Sequence, residues 1–412
     1  MASKHRPAIP KHSFSQSVKQ FALIDVHLPP IHPFILIISL PLLFSIIESL
    51  TGFNFKGHLN GFFDTPQKKN FSIINYSNRN YQNNFEAWFS SNIGLRGYFI
   101  RLYNQIQFSF FNLVPSGVVG ANGNIFELPY IDAECGLTAK FDFSDSTQFK
   151  KLEEYVNHLE SIQNKLNTIG KNLVFIITPS KAAVNFNDIP LKYRLKRKSN
   201  FISPYFYLKK ELSHKDINLI DSRSLFSTNE TPIFYVTGIH WARPIEQRFS
   251  QALVEKMSSL TKQDLPKISL GKLNISNTPF LRDADIFNNA NTILKPHGLY
   301  YEYEATIDSS SNSQKPRFLI QSGSFAEGFY FFDYDNLSQD SYKFFYNKIF
   351  RKKRNPGVSM TSWNDIDFSE ILNEIDIVII ETNEAYIPNF NDGFVEYLDS
   401  FLDSYKNNSP TN

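Results

Sequence analysis

From Phe149 onward, apolar side chains recur at Leu152, Tyr155, Val156, Leu159, Ile162 and Leu166. These three- and four-residue steps put them on one face of a long helix. Gly170 ends that pattern, and Leu173-Val174-Phe175-Ile176-Ile177 follows as an unbroken apolar run of the kind that forms a parallel strand covered on both faces. The alternation continues with a helix over 204–214, a strand from Ile217 to Ile220, a helix over 244–260, and strands from Phe318 to Gln321 and from Ile375 to Ile380. Upstream, the spacing in Phe85 to Phe89 and Leu95 to Tyr103 predicts a helix reaching about Phe111, and Gly120 to Phe126 reads as a hairpin turn. Helices interleaved with doubly buried strands predict a three-layer α/β domain, a parallel sheet with flanking helices.

The N-terminal region has a different pattern. Phe34 to Ile47 is apolar apart from Ser39, Pro41 and Ser45, and Ile31, Leu50 and Phe53 extend it toward the ~20 residues a spanning helix needs. Lys4, Arg6, Lys11 and Lys19 precede it, so the positive-inside rule places residues 1–30 in the cytoplasm as a tail. Residues 31–52 are expected to be a single transmembrane signal-anchor, since Glu48-Ser49-Leu50-Thr51-Gly52 offers no small-residue cleavage pattern. Residues 53–82 have no clear period and read as a connecting segment. The remainder, 83–405, would face the periplasm or outside of an inner-membrane protein.

Composition narrows the class. Hydrophobic residues make up 42% and charged residues 20% of 412, which describes a chain that folds. A net charge of +2 excludes the strongly basic footprint of a general nucleic-acid binder. Cys135 is the only cysteine, which excludes an intramolecular disulfide and a cysteine-based zinc site. No cofactor and no metal site is expected. Two basic segments, Lys192, Arg194, Lys196, Arg197, Lys198 and Lys348, Arg351, Lys352, Lys353, Arg354, read as solvated loops or as contacts for an anionic glycan or lipid headgroups.

Candidate chemistry sits in the loops. In open α/β sheets, sites form beyond the carboxyl ends of the strands, where this chain places Pro179-Ser180-Lys181, Ser322-Gly323-Ser324 and Glu381-Thr382-Asn383-Glu384. His240-Trp241 lies just before a helix that Pro244 can start. A serine hydroxyl needs a base to act as a nucleophile near neutrality, and imidazole suits that role. Ser324 and His240 are therefore the candidate nucleophile and base. Trp241, Gly323, Lys181, Glu381, Asn383 and Glu384 are candidate supporting residues.

In order, Trp88, Gly120 to Phe126, Pro179-Ser180-Lys181, His240-Trp241, Ser324-Phe325 and Glu381-Thr382-Asn383-Glu384 resemble the motifs of the AlgX/AlgJ-type, SGNH-hydrolase-like family of alginate and exopolysaccharide O-acetyltransferases. The resemblance spans roughly residues 80 to 400. It implies acetyl transfer through Ser324 with His240 as base, a polysaccharide acceptor, and a multispanning membrane acyltransferase that supplies acetyl groups. It also exposes two departures. The family's aspartate two positions before the histidine, which orients the imidazole, is replaced by Gly238, and the one before the serine by Gly323. An orienting aspartate is thus expected to be missing, with Glu381, Glu384 or Glu327 as possible substitutes, while Gly323 would let the turn adopt a positive φ beside the acyl group. A carbohydrate esterase and a catalytically weak polysaccharide-binding or assembly subunit are the alternatives.

Overall fold

The structure is a computed structural model describing residues 33–61, 66–115, 117–225, 231–262, 264–280, 282–294, 297–308, 315–326, 337–346, 349–352, 355–359 and 363–408. The expected cytoplasmic tail, Glu327, Lys348, Lys353 and Arg354 lie outside these residues, as do the side chains of Arg351 and Lys352. The chain divides into two units, one of residues 1–58 and 62–99, the other of residues 59–61 and 100–412.

In the first unit the apolar run forms helix α1, Pro33–Thr51. Among the described residues no helix is long and apolar enough to cross a membrane, so the expected transmembrane anchor finds no support in the fold. Ile35, Leu42, Leu43 and Ile46 of α1 are exposed. Downstream, the single helix expected up to Phe111 is two, α2 (Asn80–Asn92) and α3 (Arg96–Phe111). The break falls at Gly94, where a Cβ would lie 2.8 Å from the backbone N of Ser45, so only glycine fits.

The second unit contains the α/β domain. Its first layer begins with helix α4, Ser146–Thr168, capped by the Asp145 carboxylate accepting from Thr147 and Gln148 N–H. Leu152, Tyr155, Val156, Leu159, Ile162 and Leu166 are its buried face, as the spacing predicts. Three short strands, β1 (Leu113–Val114), β2 (Gly117–Val119) and β3 (Ile125–Glu127), form a small antiparallel sheet, and the expected Gly120 to Phe126 hairpin joins the last two.

The central sheet contains β4 (Asn172–Thr178), β5 (Leu219–Asp221), β8 (Arg317–Ser322), β9 (Asp340–Phe345), β10 (Ile349–Lys352), β11 (Asn355–Ser359) and β12 (Ile377–Asn383), in the order β11-β10-β9-β8-β12-β4-β5. Pairing is parallel from β9 to β5, and β10 and β11 add an antiparallel edge, so the sheet is mixed at one side. Two further strands, β6 (Lys267–Ser276) and β7 (Tyr300–Asp308), form a separate antiparallel ribbon. The β12 strand begins two residues later than its apolar run, because Ile375 caps the preceding helix and the Asp376 carboxylate accepts from Arg317 N–H.

Side chains of the sheet alternate between two cores. Val174, Ile176, Phe318, Ile320, Ile377 and Ile379 enter one, with Ile245, Phe249 and Leu253 of helix α6 (Arg243–Thr261). Leu173, Phe175, Ile177, Leu319, Val378 and Ile380 enter the other, with α4, α5 (Pro204–Leu212), α8 (Phe368–Glu374) and α9 (Phe394–Asn408). A sheet covered on both faces by helices is the three-layer arrangement expected. Ile380→Ala is predicted to destabilise this unit by about 2–5 kcal/mol, because its side chain is fully buried in the second core. Equilibrium denaturation measures this, and a loss under about 1 kcal/mol would contradict the assigned packing.

Candidate active site

Parallel strands bring their exits to one edge of the sheet, and the candidate residues gather there. Ser324 leaves β8 through Gly323 and opens a short 3₁₀ turn. His240 arrives from the loop before α6. Its Nε2 lies 2.8 Å from Ser324 Oγ, which brings together the two residues that the sequence nominates as base and nucleophile.

Behind His240, Nδ1 is hydrogen-bonded to Oδ2 of Asp285. Asp285 therefore supplies the carboxylate that Gly238 lacks, correcting the expectation of a missing orienting aspartate. It opens the short helix α7, Asp285–Asn289. Its other oxygen accepts from the N–H groups of Ile239 (2.9 Å) and Ile286 (2.7 Å). Burial opposes ionisation of this carboxyl, but the His240 hydrogen bond and charge and these two N–H groups together hold its pKa below the ordinary value. An anchored carboxylate of this kind fixes Nδ1 as the protonated nitrogen and leaves Nε2 free to accept from the serine.

Gly238 is what allows this. The segment carrying Asp283 to Asp285 runs against the histidine loop: the Thr237 hydroxyl donates to Asp283 O (3.0 Å) and Phe287 N–H donates to Thr237 O (3.1 Å). A Cβ on residue 238 would lie 2.7 Å from Asp283 O, closer than backbone atoms can accommodate. An aspartate at 238 and the observed position of Asp285 thus exclude each other.

Lys181, fully buried, also holds the histidine loop. Its Nζ donates to the carbonyls of Tyr235 (2.7 Å), Val236 (3.1 Å) and Gly238 (2.8 Å). Three donors meet three acceptors, a complete match for an ammonium group. Burial pulls its pKa down to about 7, against the opposing charges of Asp285 and Asp188.

The other supporting candidates are braces rather than reacting groups. The Glu381 carboxylate joins two strand exits, accepting from Gly323 N–H (2.8 Å) and from the Thr178 hydroxyl. Burial raises its pKa, with those same two donors pulling the other way. Asn383 donates to Pro179 O (2.9 Å) and accepts from Ala385 N–H (3.0 Å). Glu384 pairs with Arg223 and accepts from Ser180 N–H (3.1 Å). Neither Glu381 nor Glu384 orients His240. Trp241 is buried against Phe249 and Phe325, with ring centroids at 5.0 and 6.0 Å.

Gly323 does not have the positive φ expected of it. A Cβ there would make ordinary contacts, 3.4 Å from Tyr346 and 3.5 Å from the Glu381 carboxylate. An aspartate at 323 would bring a second carboxylate toward Glu381, a like-charge contact that glycine avoids. Two residues that sequence reasoning missed complete the surroundings. Arg282 donates to Ser324 O and to Glu246 Oε1 (2.9 Å), tying down the turn that carries Ser324. Tyr346, just past β9, places its hydroxyl 3.3 Å from Ser324 Oγ. Ser324 opens into a depression with about 400 Å³ of empty space, lined also by Tyr346, Tyr386, Asn389, Asn391 and Asp392.

Asp285→Asn should slow acylation of Ser324 by an activated ester about 10³–10⁴-fold, the scale seen when a triad carboxylate is lost. Gly238→Asp should not rescue it, and an Asp285→Asn protein at wild-type rate would remove the assigned role. For Lys181, an unfolded lysine keeps its proton to about 10.5 while the folded one releases it near 7. The stability linked to this group is thus full above the higher value and is lost as pH falls through the lower. Lys181→Met should flatten the rise in unfolding free energy between pH 7 and 9, and equal slopes in the two proteins would contradict the assignment.

Residues 138–267 match the family model described as an SGNH hydrolase-like domain of the acetyltransferase AlgX. That stretch contains Lys181, Gly238, His240 and Trp241 and ends before Asp285 and Ser324. No curated protein matches the chain. Among solved structures, the O-acetyltransferase domain of Pseudomonas putida AlgJ is similar at 16% identity and a TM-score of 0.44, over 70% of this chain and 99% of that one. Pseudomonas aeruginosa AlgX is similar at 14% identity and a TM-score of 0.39, over 68% of this chain and 67% of that one. Bacillus cereus PatB1 is similar at 11% identity and a TM-score of 0.35, over 58% of this chain and 91% of that one. With the family model matching the segment that holds the histidine loop, the chain resembles the AlgX/AlgJ-type, SGNH-hydrolase-like O-acetyltransferases.

Proposed function

We propose that this chain is a membrane-anchored O-acetyltransferase that places acetyl groups on an exported polysaccharide through an acetyl-Ser324 intermediate. The observation that carries the reading is the hydrogen-bonded sequence Ser324 Oγ, His240 Nε2 at 2.8 Å, and His240 Nδ1 to Asp285. Ser324 Oγ attacks the carbonyl carbon of an acetyl ester donor and its proton passes to His240 Nε2. The tetrahedral intermediate collapses, the bond to the leaving group breaks, and His240 protonates that group. A sugar hydroxyl then attacks acetyl-Ser324 with His240 taking its proton, and collapse returns the serine. Asp285 stabilises the imidazolium that forms in each half-reaction.

The anchor in this reading is the apolar stretch 31–52, whose exposed isoleucines and leucines follow a basic leader. The domain would face the periplasm or outside. Cytoplasmic acetyl-CoA has no access to that side, so a multispanning membrane acyltransferase is the supplier of acetyl groups. A subunit that only binds polysaccharide has no need of an oriented serine-histidine pair. The glycine in place of an orienting aspartate at position 238, which favoured that reading, is compensated by Asp285.

The experiment is product analysis with a labelled activated acetyl ester and an oligosaccharide acceptor. Acetylated sugar is the expected product, and acetate alone, whatever the acceptor, would make the protein an esterase instead. Ser324→Ala should abolish covalent labelling and His240→Ala should slow it by roughly 10²–10⁴-fold. Undiminished labelling of Ser324→Ala would remove the acetyl-serine intermediate.

A further inference from the structure

Acyl transfer through Ser324 generates an oxyanion, and the triad and its braces supply one evident donor for it, the Ser324 N–H itself. We propose that Tyr346 supplies a second, its phenol O–H stabilising the oxyanion of both tetrahedral intermediates. This rests on the acetyl-serine reading and adds a catalytic residue to it.

The geometry is specific. Tyr346 OH stands 3.3 Å from Ser324 Oγ, and the Ser324 N–H points at the phenol oxygen over 3.4 Å. The phenol oxygen therefore stands in the direction of the Ser324 N–H and within hydrogen-bond reach of Oγ. When a carbonyl carbon bonds to Oγ, its oxygen takes the place of the phenol oxygen before the Ser324 N–H, and the phenol O–H turns from Oγ to it. In the resting site the phenol also donates to the serine oxygen, which leaves the Ser324 proton directed at His240 Nε2. A donor held this close to the nucleophile needs only a small shift and a turn of its O–H bond as charge develops, and little reorganisation is what makes such donors effective.

The backbone fixes the ring's position. Tyr346 N–H donates to Ser322 O at 2.8 Å, so the residue is tied to the strand end two positions before the nucleophile. Its ring packs against Phe345, with centroids 4.6 Å apart, and borders Tyr386. Its φ is +53°, in the left-handed region where a bulky side chain is strained. The surrounding contacts thus keep an aromatic residue at a position whose backbone favours glycine, with its hydroxyl lining the depression.

No bond to Tyr346 is made or broken. In acylation the Oγ–carbon bond forms, the serine proton moves to His240, and the carbonyl electron pair shifts onto the oxygen facing Tyr346 and Ser324 N–H. Collapse returns that pair as the leaving group departs with the His240 proton. Deacylation repeats this with the acceptor oxygen as nucleophile and Oγ as leaving group.

The test uses the full chain and 4-nitrophenyl acetate as acetyl donor. Tyr346→Phe, which keeps the ring, should lower kcat on the order of 10²-fold, the effect of deleting one oxyanion donor. KM should stay within about threefold, because the donor acts on the transition state. A boronic acid that forms a tetrahedral adduct with Ser324 should also bind Tyr346→Phe more weakly. Should Tyr346→Phe fail to fold, 3,5-difluorotyrosine at 346 replaces it. Acylation should then fall as the acidified phenol loses its proton, at a pH where the unmodified protein shows no such fall. Wild-type kcat in Tyr346→Phe, or no new fall with the fluorinated residue, overturns the role. Ser324→Ala run in parallel separates the claims: loss of labelling there with an unaffected Tyr346→Phe overturns Tyr346 alone, and persistent labelling overturns the acetyl-serine intermediate as well.

Discussion

The site depends on one close approach, between Gly238 and the backbone of Asp283. With no Cβ in the way, the segment 282–285 lies directly against the histidine loop, and Asp285 reaches Nδ1 of His240. A triad needs a carboxylate in space, not at a fixed offset in the chain. Here the carboxylate comes from the segment facing position 238 across a backbone contact, and glycine at 238 is the steric condition for that approach. The same approach places Arg282 on the carbonyl of Ser324, so His240 and Ser324 are positioned from one segment.

The sheet supplies the remaining order. Four parallel strand ends, β4, β12, β8 and β9, terminate side by side, and buried polar side chains cross-link their exits. Glu381 ties β12 to the Ser324 turn and to Thr178 at the end of β4, while Asn383 and Glu384 fasten the Pro179-Ser180 exit. Lys181 then carries that rigidity to the histidine loop through three carbonyls. Each of these groups is buried and costly to leave unpaired, so removing one partner strands another. Glu381, Asn383, Glu384 and Lys181 thus hold the geometry from the strand exits around Ser324.

The frame was legible because strands covered on both faces leave continuous apolar runs, as in Leu173 to Ile177 and Phe318 to Ile320, and because α4 shows a clean helical period. The strands that escaped notice lack those marks. Most of β6 and β7 is exposed or half-buried, and β9 mixes Asp340, Ser341 and Lys343 among its aromatics. Ser324 and His240 were legible from their loops. Asp285 was not, since it lies 45 positions from His240 and follows no strand of the central sheet; only the pair of aspartates around Ala284 before Ile286-Phe287 offered a hint. Tyr346 was hidden for a similar reason: its role comes from the β8 and β9 pairing, a register that sequence pattern did not reveal.

The central claim is that Asp285 holds His240 as the Nδ1–H tautomer facing Ser324. Proton–nitrogen correlation spectra of the imidazoles, in protein labelled with ¹⁵N-histidine, report this directly. His240 should carry its proton on Nδ1 in a strong hydrogen bond, with Nε2 unprotonated, and Asp285→Asn should abolish this signature. A neutral His240 protonated on Nε2, or an Nδ1 proton signal unchanged by Asp285→Asn, would contradict it.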